Sequence, residues 1–391
     1  MSFNIFFFIF TISAAKLLGP ENWGLITLLS LFATYSSLFT FGVSNGMGIL
    51  LPIALGKDQK EENYIVQNAF WCLVFSFIII GLVQIFFIIK VKIPLSYFLF
   101  LVAYTFSIQL LNFLKVYLRS HQNFTLFSYA YFFQTMFLLM GFYLIKININ
   151  YLMILSLINL FTVILVYSRI EKKKQKWSIN KKQIIGLIKV GFPIMIAGIV
   201  GELLLSTDRL LISYFFDNIE LGLYGFASNF FKGVRVIGVA ISIITLPKIA
   251  TSYSKGDFKS MLYFARAQQW VSFVLMITSS VVAILIAFKF FPIFLPEYLR
   301  SVNLIIILLI VASLLPLSKY ANILNVIGKQ GLYLKAQIFI ILTNIIFSIT
   351  LIYLGYGIEG VAIASLLSMI LYVSLIRYLG SRAIKSLISK V

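Results

Sequence analysis

The sequence predicts an all-α integral membrane protein with about twelve spanning helices in two sets of six. Three observations carry that expectation. Hydrophobic residues make up 61% of the chain and charged residues only 11%, with a mean hydropathy of +1.01. A soluble domain of 391 residues needs far more polar cover than this. Apolar runs of about 20 residues, the length that crosses a bilayer as a helix, recur to the end of the chain, which one cleavable targeting segment does not explain. The longest polar segment, 171–183 (EKKKQKWSINKKQ), falls midway among these runs.

On that ruler the first six spans are 1–18, 25–55, 64–89, 93–118, 124–145 and 151–170. The second six are 193–216, 222–246, 268–290, 302–325, 332–354 and 358–379. The expected organisation is a six-helix lobe over 1–170, a basic linker over 171–192, and a second six-helix lobe over 193–391 that ends in a basic tail. Within the linker, 184–190 reads as a short interfacial piece, and Gly191 and Pro193 mark the start of the seventh span. Shifting the chain by about 198 positions lays Gly24-Leu25 on Gly222-Leu223, Ser30 on Ser228, Phe32 on Phe230 and Lys57 on Lys255, as a duplicated six-helix unit would. Six spans return a chain to its starting side, so the copies run parallel about an axis along the membrane normal.

The net charge of +20 would suggest nucleic acid in a soluble protein. Here the basic residues sit in short gaps between apolar runs, which makes them topological and leaves no nucleic-acid role. With the N-terminus inside, Lys57, Lys60, Lys115, Arg119, the 169–189 cluster, Lys248, Lys255, Lys259, Arg266, Lys329, Lys335 and the tail from Arg377 all lie inside. Lys16, Lys90, Lys92, Lys146, Lys289 and Arg300 fall outside. An excess of roughly three to one or more places both termini in the cytoplasm. Cys72, the single cysteine, excludes an internal disulfide and a thiolate metal cluster. The lone His121 reads as a loop or headgroup-level residue. No phosphate-cradling G-x-x-x-x-G-K-[ST] motif occurs, and the external connections are too short for a catalytic domain. Paired loop carboxylates at the spacing of a sugar-transfer site are absent too, so no catalytic residue, cofactor or metal site is expected.

What stands out is charge inside the spans. In 193–216, Glu202, Ser206, Arg209 and Ser213 fall within about 60° on a helical projection, with Asp208 beside them. In the next span Ser228, Lys232, Arg235 and Ser242 lie within about 80°. Ionisable groups at membrane depth face a bundle interior or a hydrated cavity, and so mark candidate sites. Lys319, after Pro316, and Lys16, at the end of the first span, are further basic candidates. Each has a structural alternative. Glu202 can reach toward Arg209, Asp208 can pair with Lys232 or Arg235, and Lys16 and Lys319 can snorkel to an interface. Set against Glu202 and Asp208, the cations leave a basic surplus of about one or two charges, which favours an anionic ligand. Arginine suits phosphate through its two parallel donors.

Two stretches resemble a known family. AAKLLGPENWGLITLLSLFATYSSLFTFGVSNGM (14–47) is similar to the opening of bacterial polysaccharide exporters of the O-antigen flippase type. KVGFPIMIAGIVGELLLSTDRLLISYFFDNIELGLYGFA (189–227) resembles the start of their second lobe, with Thr207-Asp208-Arg209 and Gly222-Leu223-Tyr224 in the family's places. The first span departs from the pattern, beginning at Met1 without the longer basic lead that members usually carry. The resemblance implies the multidrug, oligosaccharidyl-lipid and polysaccharide exporter fold, two six-helix lobes around a central cavity open alternately to each side. It also implies an undecaprenyl-diphosphate-linked oligosaccharide as substrate, moved between leaflets of the cytoplasmic membrane, and association with other polysaccharide-assembly membrane proteins. Asp208 and Arg209 match the family's position in the seventh helix, whereas Lys232 and Arg235 rest mainly on the charge argument above; together Arg209, Lys232, Arg235, Lys319 and Lys16 would bind the anionic headgroup. Glu202 and Asp208 would serve as counter-ions or couple transport to protons or sodium ions. A multidrug exporter of the same fold, and a membrane-embedded polysaccharide polymerase, are the alternative readings.

Overall fold

The structure is a computed structural model and describes residues 2–55, 59–91, 93–146, 150–170, 179–318 and 320–388. Lys57, Lys92, Lys319 and most of the basic linker (171–178) lie outside the described residues. The elements are all helical: α1 (Ser2–Tyr35), α2 (Val43–Leu55), α3 (Gln59–Val91), α4 (Ser96–Ser120), α5 (Phe124–Lys146), α6 (Tyr151–Tyr167) and α7 (Lys181–Leu204). There follow α8 (Thr207–Phe215), α9 (Asn218–Ser254), α10 (Phe258–Phe294), α11 (Ser301–Leu314), α12 (Tyr320–Val326), α13 (Gln330–Tyr353) and α14 (Gly357–Ile388). Among the described residues, ten helical stretches are long and apolar enough to cross a membrane, and α2 and α6 are shorter apolar helices, in keeping with about twelve spans. Large apolar side chains such as Leu82 and Phe86 on α3 and Leu285 on α10 are exposed. That surface is at rest against lipid and untenable in water.

Two compact units emerge. One is Met1–Leu17 with Leu28–Ile199, the other Leu18–Thr27 with Val200–Val391. The first unit has a core in which Val43, Met47 and Leu51 of α2 pack on Ala69 and Leu73 of α3 and on Leu187 of α7. Its polar side chains bond to one another. Gln84 donates to Thr105 at 2.8 Å, and Lys115 donates to Gln134 at 2.9 Å. Gln134 in turn donates to Asn159 at 3.1 Å. Such pairs satisfy groups that lipid cannot. His121 lies in the turn that follows α4, as expected of a loop histidine, and meets the buried Glu62 there at 2.9 Å. The second unit centres on Ile249 of α9, Met261 and Ala265 of α10, Ile323 of α12 and Ile384 of α14.

One contact in the second unit is symmetric under the 198-residue shift. A Cβ on Gly24 would run into the Asn218 carbonyl, and a Cβ on Gly222 would run into the Pro20 carbonyl. Pro20 and Asn218 are themselves separated by that shift. Small residues let the two backbones touch, the usual basis of close helix crossings in lipid. The turn that leads into this contact needs a glycine for another reason: Gly19 has φ of 74°, in the region that side chains disfavour.

Three expected spans turn out to be broken. The second is interrupted by a 3₁₀ turn at Ser36–Thr40 and a left-handed Phe41. The tenth is interrupted by a 3₁₀ turn at Leu315–Ser318 containing Pro316, whose missing N–H ends the regular ladder. The seventh, read as one helix over 193–216, divides into α7 and α8 around Leu205 and Ser206. Conversely, 184–190 is no separate piece, because α7 runs unbroken through Gly191 and Pro193. Intramembrane proline is tolerated where local adjustments re-satisfy the one freed carbonyl.

Candidate binding site at the α7–α8 break

A helix broken in lipid exposes backbone carbonyls that must find partners. Here the Glu202 and Leu203 carbonyls accept from the Leu205 and Ser206 N–H groups, each at 3.1 Å, and side chains of the next few residues add to these bonds and reach the Leu205 carbonyl. Ser206 Oγ donates to the Glu202 carbonyl at 2.6 Å and Thr207 Oγ1 to the Leu203 carbonyl at 2.5 Å. Arg209 Nη2 donates to the Leu205 carbonyl at 3.0 Å. Polarity in this stretch therefore has a local cause: Ser206, Thr207 and Arg209 cap the end of α7. The break also spoils the continuous stripe expected from helical projection, since Ser206 is buried while Glu202 is exposed. Ser213 simply bonds the Leu210 carbonyl at 2.7 Å.

Asp208 has two partners. Its Oδ1 accepts from the Arg209 backbone N–H at 2.8 Å, and its Oδ2 accepts from the Tyr224 hydroxyl at 2.6 Å. Tyr224 is fully buried on α9 and lies beside Ser365 of α14. Asn344 of α13 donates to the same serine at 3.2 Å. The expected pairing of Asp208 with Lys232 or Arg235 is not what forms. Its only ion-pair contact among the described residues is a long one, 3.9 Å to Arg209 Nε. Glu202 makes no ion pair with Arg209 either.

Arg209 is thus a cation held at 7% exposure by one backbone carbonyl and a distant carboxylate, and its Nε has no hydrogen-bond partner. It lines a cavity of about 40 Å³ with Asp208, Ser228, Lys232, Asn344 and Ser368. That space holds on the order of three waters. Asn344 Oδ1 and Ser368 Oγ are buried there without partners as well. Lys232 is exposed and lies in the field of Arg209, Asp208, Glu202 and Arg235. Arg235 lines a neighbouring cavity. The structure thus gathers five of the seven residues singled out in the sequence, with three cations against two carboxylates. Lys16 is exposed on α1 in the other unit, and Lys319 is outside the described residues. Sequence reasoning missed Tyr224, Ser365 and Ser368, whose hydroxyls sit unremarked in apolar runs. Tyr224 was within reach, as the one phenol in the Gly-Leu-Tyr motif.

An all-helical membrane protein of about twelve spans that keeps a partly satisfied arginine beside a small cavity has a candidate binding site there. Solved structures share its fold. The lipid II flippase MurJ, in an inward closed conformation, superposes with a TM-score of 0.74 at 17% identity, over 96% of this chain and 86% of that one. An inward-facing multidrug resistance MATE family transporter of the MOP superfamily gives 0.68 at 13% identity, over 98% and 94%. The Vibrio cholerae MATE transporter VcmN, in its bent form, gives 0.60 at 14%, over 99% and 95%. At these identities the likeness establishes the fold, that of the MOP-superfamily transporters. The chain belongs to the polysaccharide biosynthesis protein family, which matches it over residues 14–276. No curated protein matches it by sequence.

Proposed function

We propose that this chain is a flippase for an undecaprenyl-diphosphate-linked oligosaccharide. It carries the headgroup from the inner to the outer leaflet of the bacterial cytoplasmic membrane by alternating access, with both termini in the cytoplasm. The observation that carries the reading is Arg209, a buried guanidinium with an unpartnered Nε at a cavity whose charges sum to a basic surplus. A diphosphate offers oxygens to such a fork. Lys232 and Arg235 extend the positive field, while the polyprenyl tail stays in lipid. The family supports a glycan cargo, and the MurJ structure is that of a lipid II flippase. Two negative charges leaving a cytoplasm at about −100 mV gain roughly 4 to 5 kcal/mol, enough to drive the step. Glu202 and Asp208 are the residues through which protons or sodium ions would add coupling.

A multidrug exporter of the same fold is the second reading. Against it, the cavity carboxylate of Asp208 is already taken by Tyr224 and the Arg209 N–H, which leaves a cationic drug without an anionic partner there. The deciding experiment measures outer-leaflet appearance of the lipid-linked oligosaccharide in cells or proteoliposomes. Arg209→Ala, Lys232→Ala and Arg235→Ala should each slow it. Unchanged translocation at normal protein levels would sink the assignment.

A further inference from the structure

A second cavity, of about 190 Å³, lies in the same unit between α9, α10 and the 3₁₀ turn at Leu315–Ser318. Arg235, Gln268, Gln269 and Ser272 supply polar wall, and Met276 and Pro316 supply part of the apolar wall. Gln268 is engaged, its Oε1 accepting from Thr245 at 2.8 Å and from Asn322 at 3.3 Å. Its neighbours are not. Gln269 Oε1 and Ser272 Oγ are buried without a hydrogen-bond partner, and Ser272 is only 2% exposed. Arg235 makes no hydrogen bond among the described residues.

Leaving buried polar atoms unpaired is costly, so several together around one space call for an occupant. The three groups restrict its chemistry. A phosphate or carboxylate would suit Arg235 and accept from Ser272 but has no proton for Gln269 Oε1. A cation could donate to that oxygen but would be repelled by Arg235. A neutral ring with several hydroxyls meets all three, because each hydroxyl both donates and accepts. With the Gln269 amide turned over, a hydroxyl would still fit, but so would an anion, and variants that weaken a sugarless diphosphate as much as a sugar-bearing one would report the anion. The Met276 and Pro316 surfaces suit the apolar face of such a ring.

We propose that this cavity is a saccharide subsite, which holds one sugar of the transported headgroup apart from the phosphate-directed Arg209 and Lys232. It rests on the flippase reading above. The subsite makes the sugar, and not only the diphosphate, a determinant of which lipid is carried.

The test uses the purified full chain in lipid nanodiscs and two probes, a short-chain prenyl diphosphate and the same lipid bearing one hexose. Wild type should bind the hexose-bearing probe more tightly. Gln269→Leu and Ser272→Ala should each weaken that probe about 10-fold, the worth of one lost hydrogen bond, and leave the sugarless probe unchanged. Ser272→Ala removes a single oxygen, which guards against a folding defect in the bulkier exchange, and thermal unfolding of both variants checks it directly. Equal binding of the two probes by the wild type, or variants that weaken both alike or neither, overturns the subsite alone. Failure of the wild type to bind either probe overturns the flippase reading and the subsite with it.

Discussion

Replacing Arg209 with glutamine separates the capping contact of its guanidinium from the binding role proposed for it. In the resting structure Nη2 caps the Leu205 carbonyl; in the transport cycle the same group is expected to face a diphosphate. Glutamine retains an N–H donor for the carbonyl and drops the charge. The cap then changes from a charge-assisted to a neutral hydrogen bond, a loss of about 1 kcal/mol in stability. Ligand binding loses a charge-assisted contact of about 1.5 to 3 kcal/mol, which is about 10- to 150-fold in affinity. Arg209→Lys should fall between, because it keeps the charge without the planar fork. The assay is outer-leaflet accessibility of the lipid-linked oligosaccharide to a membrane-impermeant reagent, in proteoliposomes matched for protein, read alongside thermal unfolding in detergent. Translocation by Arg209→Gln within about twofold of wild type, with the expected small stability loss, would mean that the arginine is only a cap.

Three further outcomes are expected. Tyr224→Phe removes the 2.6 Å partner of Asp208 and should cost about 1 to 3 kcal/mol in unfolding experiments, the penalty for a buried carboxylate oxygen left unpaired; the same exchange at the exposed Tyr214 should be silent. Gly222→Ala drives a methyl group into the Pro20 carbonyl, an overpacking penalty of about 1 to 3 kcal/mol, and adding Gly24→Ala should cost less than the sum because both disturb one crossing. Asp257 lies outside the spans, and the Ser260 side chain and backbone N–H hold its carboxyl below the usual carboxylate range. A depressed folded-state pKa stabilises above the unfolded value of about 3.9, and the benefit disappears as pH falls through the folded value. Asp257→Ala should therefore flatten the pH dependence of unfolding in that acid window and leave the neutral-pH slope alone.

Hydropathy was enough to read the membrane class and the approximate span count, because lipid tolerates so few alternatives to an apolar helix. Charge at membrane depth pointed to Asp208, Arg209, Lys232 and Arg235 for the same reason. The breaks were harder. Leu205-Ser206 contains no glycine or proline, and nothing in Glu202 to Ser213 distinguishes a continuous polar stripe from side chains turned back to cap a carbonyl. Pro193 misled in the opposite direction, being the visible breaker inside a helix that does not break. Ser365 of α14 and Asn344 of α13 come from far along the chain, and only the fold shows that they meet at the cavity beside Arg209.

The capping of Leu205 by Arg209 bears on kinetics more than on affinity. A carrier that binds its cargo too well stalls, and a bare buried cation would make release slow. The guanidinium has a backbone carbonyl to return to at 3.0 Å, so on the proposed flippase reading each departing anion would be replaced rather than merely lost. Residence time would then be shortened on both sides of the membrane, and the empty carrier would be kept from trapping stray anions. Turnover would be set by the exchange of one hydrogen-bond acceptor for another.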